Sequence, residues 1–166
     1  QTARQAVHDA MASLASEKLE HHSNPSIGTM IELPAVIDIM DELSAQADFF
    51  SIGTNDFIQY MLAVDRTNEN VADYYQPFHP GILRGLARIV ERAAYHGKPI
   101  CVCGEVANDP RFIPFLLGIG VRRLSVDPQF LPGVQESVLR LNLDRAVDYA
   151  RNLLSCGTLA ATAAVR

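Results

Sequence analysis

The sequence predicts an α/β fold organised on a parallel sheet. Two observations carry this. Three short apolar runs, Ile27–Ile31, Phe49–Ile52 and Ile100–Cys103, each stop at polar or reactive residues. Glu32 follows the first, Gly53-Thr54-Asn55-Asp56 follows the second, and Cys103-Gly104-Glu105 closes the third. Stretches with helical spacing lie between the runs, so that the order reads α-β-α-β-α-β-α-β-α once a short fourth strand at Arg123–Val126 is included. Alternation of this kind implies parallel strands with right-handed crossovers.

Each element has a local reason. Ala3, Val7, Met11, Leu14 and Leu19 recur at helical spacing, predicting a helix over residues 1–20. His21 to Ser26 is a loop rich in Ser, Asn and Pro. Pro34 suits a helical first turn, and Val36, Ile39, Met40 and Leu43 give the following helix, Ala35–Ser44, an apolar face. A helix over Asp56–Leu62 should turn Phe57, Tyr60 and Met61 inward. Residues 65–79 form a long loop, and loops this long in compact domains are more often functional than idle. Pro80 opens a helix to His96 with Leu83, Leu86, Ile89, Val90 and Ala93 on one side, and Gly97 stops it. Asn108-Asp109-Pro110 caps a helix to Leu117 in which Pro114 is a point of distortion. Gly133–Leu139 and Leu143–Leu154 read as helices, and the Ala/Thr-rich tail, residues 157–166, as frayed. Four βα units make half of an eight-stranded barrel, or a small complete open sheet of flavodoxin type; composition does not separate the two. A half barrel would leave two open strand edges and an apolar interior exposed.

Composition narrows the class. The 166 residues suffice for one domain with a core, and 48% hydrophobic against 20% charged residues describes a globular chain. A net charge of −5 argues against a nucleic-acid partner, which needs a basic face. No apolar run reaches the length of a membrane span and no signal peptide opens the chain, so the expected compartment is the reducing cytoplasm. The start at Gln1 without Met suggests a piece of something longer. Three cysteines without a CxxC spacing, and a His21-His22 pair outside any ligand spacing, give no metal-binding framework.

Chemistry gathers where the strands end. Glu32 and Asp56 follow separate strands and would face one rim; two carboxylates completed by water and substrate oxygens suit Mg²⁺. Each also serves equally well to cap the next helix. Asn55 and Asp56 put backbone N–H groups at a helix start, a ready anion site. Arg66, in the long loop, could grip the same anion or lie solvated. Cys103 could act as nucleophile or general acid, or rest as a core thiol, as Cys101 is read. No histidine stands beside it, so a Cys-His hydrolase is not supported, and His79 and His96 read as loop and helix-end residues. Glu105 could tune the thiol or cap the following helix.

Taken together, Gly28-Thr-Met-Ile-Glu-Leu-Pro34, Asp48-Phe-Phe-Ser-Ile-Gly-Thr-Asn-Asp-Phe-Ile-Gln-Tyr60, Leu62-Ala-Val-Asp-Arg66 and Cys103-Gly-Glu105 resemble the phosphoenolpyruvate-utilising enzymes. The resemblance runs from about residue 27 to 130, in order and at the family's spacing. No single motif is specific, but the combination is. Gln59-Tyr60 with Ala63-Val-Asp-Arg66, and Tyr75-Gln-Pro with His79-Pro80, are most similar to the Enzyme I branch, the phosphoenolpyruvate–protein phosphotransferases. Pyruvate phosphate dikinase and phosphoenolpyruvate synthase share the Thr-Asn-Asp and Cys-Gly motifs but differ over Ala63–Arg66.

The resemblance implies a second half, about strands 5–8, of a TIM-type (β/α)8 barrel. It implies Glu32 and Asp56 as Mg²⁺ ligands, Asn55, Asp56 and Arg66 as holders of the substrate phosphate, and Cys103 as proton donor to C3 of the enolate. It implies phosphoenolpyruvate and pyruvate as substrate and product, a histidine phosphocarrier protein as partner through a region outside this sequence, and a homodimer. The family's phosphoacceptor histidine sits in a Thr-Ser-His-type motif, and none of His8, His21, His22, His79 or His96 has that context. Its further substrate arginines belong to the other half of the barrel. The chain is therefore expected to lack phosphotransfer activity alone. Competing readings are a piece of a dikinase-type relative and a non-catalytic dimerisation module.

Overall fold

The computed structural model describes residues 2–166. At its centre lies a three-stranded parallel sheet, β1 (Thr29–Ile31), β2 (Phe50–Gly53) and β3 (Ile100–Cys103), in the order β1-β2-β3. The register pairs Ile31 with Ile52 and Ile52 with Val102, so one row of side chains crosses all three strands. This confirms a parallel α/β arrangement. The fourth predicted strand, Arg123–Val126, is reduced to a single bridge: Val102 donates to the Arg123 carbonyl and accepts from Ser125 N–H at 3.0 and 2.9 Å.

The eight helices among the described residues are α1 (Thr2–Ser16), α2 (Met40–Ser44), α3 (Thr54–Leu62), α4 (Pro80–Tyr95), α5 (Ile113–Gly118), α6 (Leu131–Arg140), α7 (Leu143–Ser155) and α8 (Leu159–Val165). Short 3₁₀ turns at Pro34–Ile39, Ala72–Tyr74, Glu105–Ala107 and Pro128–Phe130 join them. No helix among the described residues is long and apolar enough to cross a membrane.

Alternation within β2 divides the molecule. Phe50 and Ile52 are fully buried and join Ile31 and Val102 against Ile82, Leu86 and Ile89 of α4. Phe49 and Met30 belong to the other face and remain 38% and 51% exposed. Successive strand residues point to opposite sides, so helices cover one face and leave the other open.

Several elements differ from their sequence reading for identifiable reasons. The helix expected over Ala35–Ser44 begins as a 3₁₀ turn at Pro34 and becomes α only at Met40. Val36, Ile37 and Ile39, all β-branched, weaken the α form there. Tyr60 points outward at 54% exposure, while Phe57 and Ile58 of α3 are fully buried and Met61 packs against the core as expected. Pro114 does not distort α5; it falls in the first turn, where no N–H is required. The tail is helical over Leu159–Val165. The Thr158 hydroxyl caps α8 by accepting from Ala161 N–H at 3.1 Å, Thr162 is buried, and Arg166 lies over the Phe78 ring.

Candidate active site at the strand ends

The carboxyl ends of β1, β2 and β3 open on one rim, and each delivers a reactive group there. Glu32 follows β1 directly and is half-buried. Its side chain lies across the end of β2: a Cβ placed on Gly53 would come within 2.8 Å of Glu32 Cγ and 2.9 Å of Oε1. Gly53 thus leaves room for the carboxylate beside the start of α3. Asp56 stands in the first turn of that nine-residue helix, where unpaired N–H groups and the helix dipole favour negative charge. Neither Glu32 nor Asp56 has a side-chain hydrogen-bond partner among the described residues, so the capping alternative is not taken up.

Cys103 ends β3 opposite Gly53. Its half-buried thiol donates to the Ile52 carbonyl at 3.3 Å and meets Ser51 Oγ at 3.7 Å. Cys101 shares that face, and burial, followed by the neighbouring Cys103, pushes its thiol up from the ordinary range. Cys101 is half-exposed rather than a core thiol.

The turn after β3 is tied to the start of α3 by two adjacent residues. Thr54 Oγ1 donates to the Cys103 carbonyl at 2.6 Å, and Asn55 Oδ1 accepts from Glu105 N–H at 2.9 Å. Gly104 between them adopts φ +95°, and a Cβ there would stand 2.5 Å from Thr54 Oγ1 and 2.8 Å from Asn55 Oδ1. Only glycine meets both demands.

Arg66 reaches the rim from the long loop. Its Nη1 contacts Glu105 Oε1 at 2.5 Å, and its backbone N–H donates to Gln59 Oε1 at 3.3 Å. Glu105 therefore neither tunes the thiol nor caps a helix with its carboxylate; it holds the arginine. Tyr75, from the far end of the same loop, donates to the Asn55 carbonyl at 3.4 Å. Burial, reinforced by Glu105 and Asp56 and opposed by Arg66, pushes its phenol up to about 12, so it stays a neutral donor at physiological pH.

The structure thus gathers Glu32, Asn55, Asp56, Arg66 and Cys103 at the ends of adjacent strands. The family described as PEP-utilising enzyme, PEP-binding domain, matches residues 1–143. The chain belongs to this family of PEP-utilising enzymes. It is 37% identical over 150 residues to the multiphosphoryl transfer protein 1 of Escherichia coli K12, covering 90% of this chain and 18% of that protein. It is 40% identical over 132 residues to the phosphoenolpyruvate-protein phosphotransferase of Geobacillus stearothermophilus, covering 80% and 23%. With the enzyme of the same name from Enterococcus faecalis it shares 37% over 152 residues, covering 91% and 26%. The chain spans about a fifth to a quarter of the length of these relatives.

Within this PEP-binding domain, two histidines serve local structure, as the sequence suggests. His79 Nδ1 accepts from Gly81 N–H at the start of α4, and His96 at its end bonds Asp41 at 2.8 Å. Three features escaped sequence reasoning. Thr54, in the same polar stretch as Asn55 and Asp56, is fully buried. Tyr75 lies twenty positions from the Asn55 carbonyl it meets, and nothing local marks its return. The Arg66–Glu105 pair spans 39 positions, and no periodicity connects a loop arginine with a turn carboxylate.

Proposed function

We propose that the chain forms one wall of a phosphoenolpyruvate site, in a phosphotransferase of the Enzyme I kind. The observation that carries this is the convergence of Glu32, Asn55, Asp56, Arg66 and Cys103 on the rim of three parallel strands in a PEP-binding domain. Relatives named phosphoenolpyruvate-protein phosphotransferase favour this branch over a dikinase-type enzyme.

Asn55 offers an anion its amide N–H groups, because its carbonyl is already engaged by Glu105. The first turn of α3 adds backbone N–H groups to the phosphate. Arg66 carries five donors, so holding Glu105 leaves others for the same phosphate. Transfer of the phosphoryl group to a histidine outside these residues leaves the enolate of pyruvate. Cys103 then gives its thiol proton to C3, forming pyruvate and a thiolate that is reprotonated from solvent.

Glu32 and Asp56 would hold Mg²⁺. No group of three His, Cys, Asp or Glu side chains among the described residues is arranged to hold a metal by itself. Two carboxylates without protein partners among the described residues fit an ion that completes its shell with water and substrate oxygens. Bound there, Mg²⁺ would supply positive charge against the phosphate and the developing enolate.

The open face with Met30 and Phe49, and an outer side of β1 unpaired among the described residues, fit strands 5–8 of a (β/α)8 barrel. The further substrate groups and the acceptor histidine then belong to other parts of a cytoplasmic enzyme that meets a histidine phosphocarrier protein. A second reading, assembly into a homodimer, is favoured by α6, where Leu139 is 85% and Leu131 46% exposed.

The test is a titration of the chain with phosphoenolpyruvate, with and without Mg²⁺, followed by backbone NMR with mass in solution measured alongside. Shifts at Asn55, Asp56 and Cys103 that need Mg²⁺ and vanish in Arg66→Ala are expected. Absence of binding in a stable dimer favours assembly alone. No phosphotransfer activity is expected from the 166 residues, and direct detection of sustained pyruvate release would overturn the half-site reading.

A further inference from the structure

We propose that Thr54 is the positioning residue of Cys103. The proposal takes its functional meaning from the reading of Cys103 as the acid, and its test needs no substrate.

The thiol makes two weak sulfur contacts, to the Ile52 carbonyl at 3.3 Å and to Ser51 Oγ at 3.7 Å. Sulfur is a poor hydrogen-bonding partner, so these do little to fix where Sγ points. The backbone that carries the thiol is fixed more firmly. Thr54 is fully buried, and its hydroxyl makes a 2.6 Å bond to the Cys103 carbonyl. That peptide leads into Gly104, whose φ of +95° reverses the chain against the same hydroxyl. One residue on, Asn55 Oδ1 receives Glu105 N–H.

Two consecutive residues of α3 therefore hold the peptide groups on either side of Gly104, one by donating and one by accepting. A glycine between two peptides is the place where the chain turns most freely. Without the clamp, the Cys103–Gly104 peptide can rotate, and the end of β3 that seats the thiol against Ile52 loosens. Removing the hydroxyl would also leave a carbonyl in a covered position without its donor. The same helix start presents Asn55 and Asp56 to the rim, so the clamp sets the distance between the anion-holding turn and the acid.

The measurement is iodoacetamide alkylation of the intact chain, read separately at Cys101, Cys103 and Cys156 by peptide mass spectrometry across pH 6–9. Thr54→Val keeps the shape and loses the hydroxyl; Thr54→Ser keeps the hydroxyl and loses the methyl. Thr54→Val is expected to raise the Cys103 rate roughly fivefold or more, because the thiol leaves its half-buried rest against Ile52. Cys101 and Cys156 should hold their rates, and Thr54→Ser should stay within about twofold of the parent at all three. In Thr54→Val, the Glu105 N–H should also exchange faster with solvent, as the other half of the clamp loosens.

An unchanged Cys103 rate in folded Thr54→Val overturns the proposal. So does a parallel rise at all three cysteines, which reports general loosening. If Thr54→Val does not fold, Thr54→Ser decides: a raised Cys103 rate there assigns the role to the methyl and overturns it, while parent-like rates sustain it. Failure of phosphoenolpyruvate to bind would sink the proposed function and leave these rates untouched.

Discussion

Strand β2 carries a carboxylate at each end, and the two have opposite fates. Asp48, just before the strand, is engaged through one oxygen: Oδ2 accepts from Ile27 N–H at 2.7 Å and pairs with Arg4 at 3.3 Å. The Ile27 N–H bond, aided by Arg4 and Lys98, holds its carboxyl below the usual carboxylate range. Asp56, just past the strand, has no side-chain partner among the described residues, although Arg66 lies on the same rim. Arg66 is instead paired with Glu105. Asp48 joins the amino ends of two strands and stabilises the fold. A carboxylate left without a partner at a helix N-terminus is available to a ligand.

The same strand offers a sharper contrast between its faces, and the largest expected effect lies there. Phe50→Ala should cost about 3–5 kcal/mol, because it empties a fully buried position in a packed core. Phe49→Ala, one residue earlier on the open face, should cost about 1 kcal/mol or less in the isolated chain. Urea unfolding of the two variants measures the difference. Equal losses would mean that the open face is covered in solution.

The two carboxylates separate next. Asp56→Asn should weaken Mg²⁺-dependent phosphoenolpyruvate binding at least tenfold, about 1.4 kcal/mol, while leaving the melting temperature unchanged. Calorimetric titration beside thermal unfolding tests both halves of that statement. Retained affinity would return Asp56 to a capping role.

The smallest effect belongs to Asp48→Asn, which should lower stability at neutral pH without touching ligand binding. Its pH dependence is specific. The folded carboxyl titrates lower than the unfolded one, so its contribution is present above the unfolded pKa of about 4 and is lost as pH falls through the folded value. The parent should therefore lose stability over that acid range, and Asp48→Asn should lose less. Melting temperatures from pH 7 down to pH 3 follow the effect; parallel curves would show that Asp48 is as free as Asp56.

Local chemistry reached a long way into this molecule. The apolar runs, the glycine that closes β2 and the prolines at the helix starts marked the elements, and the position of Glu32, Asp56 and Cys103 at or just past the ends of their strands placed them on one rim. Reading failed where neighbours decide. Arg123–Val126 has the composition of a strand but makes only one bridge. The tail is rich in small residues, which suggested fraying, yet one buried threonine and a hydroxyl cap make it a helix.

The sequence by itself determined the class of fold, the rim on which the reactive groups sit, and the family to which they belong. These rest on periodicity and on the order of residues along the chain, which need no partner to be read. Only the tertiary structure decided what each polar group touches. It turned Thr54 inward beneath Cys103, gave Arg66 to Glu105, brought Tyr75 back over Asn55, and left Asp56 unpaired among the described residues. A hydrogen bond depends on a few tenths of an ångström between atoms far apart in sequence, and that distance exists only once the strands have come into register.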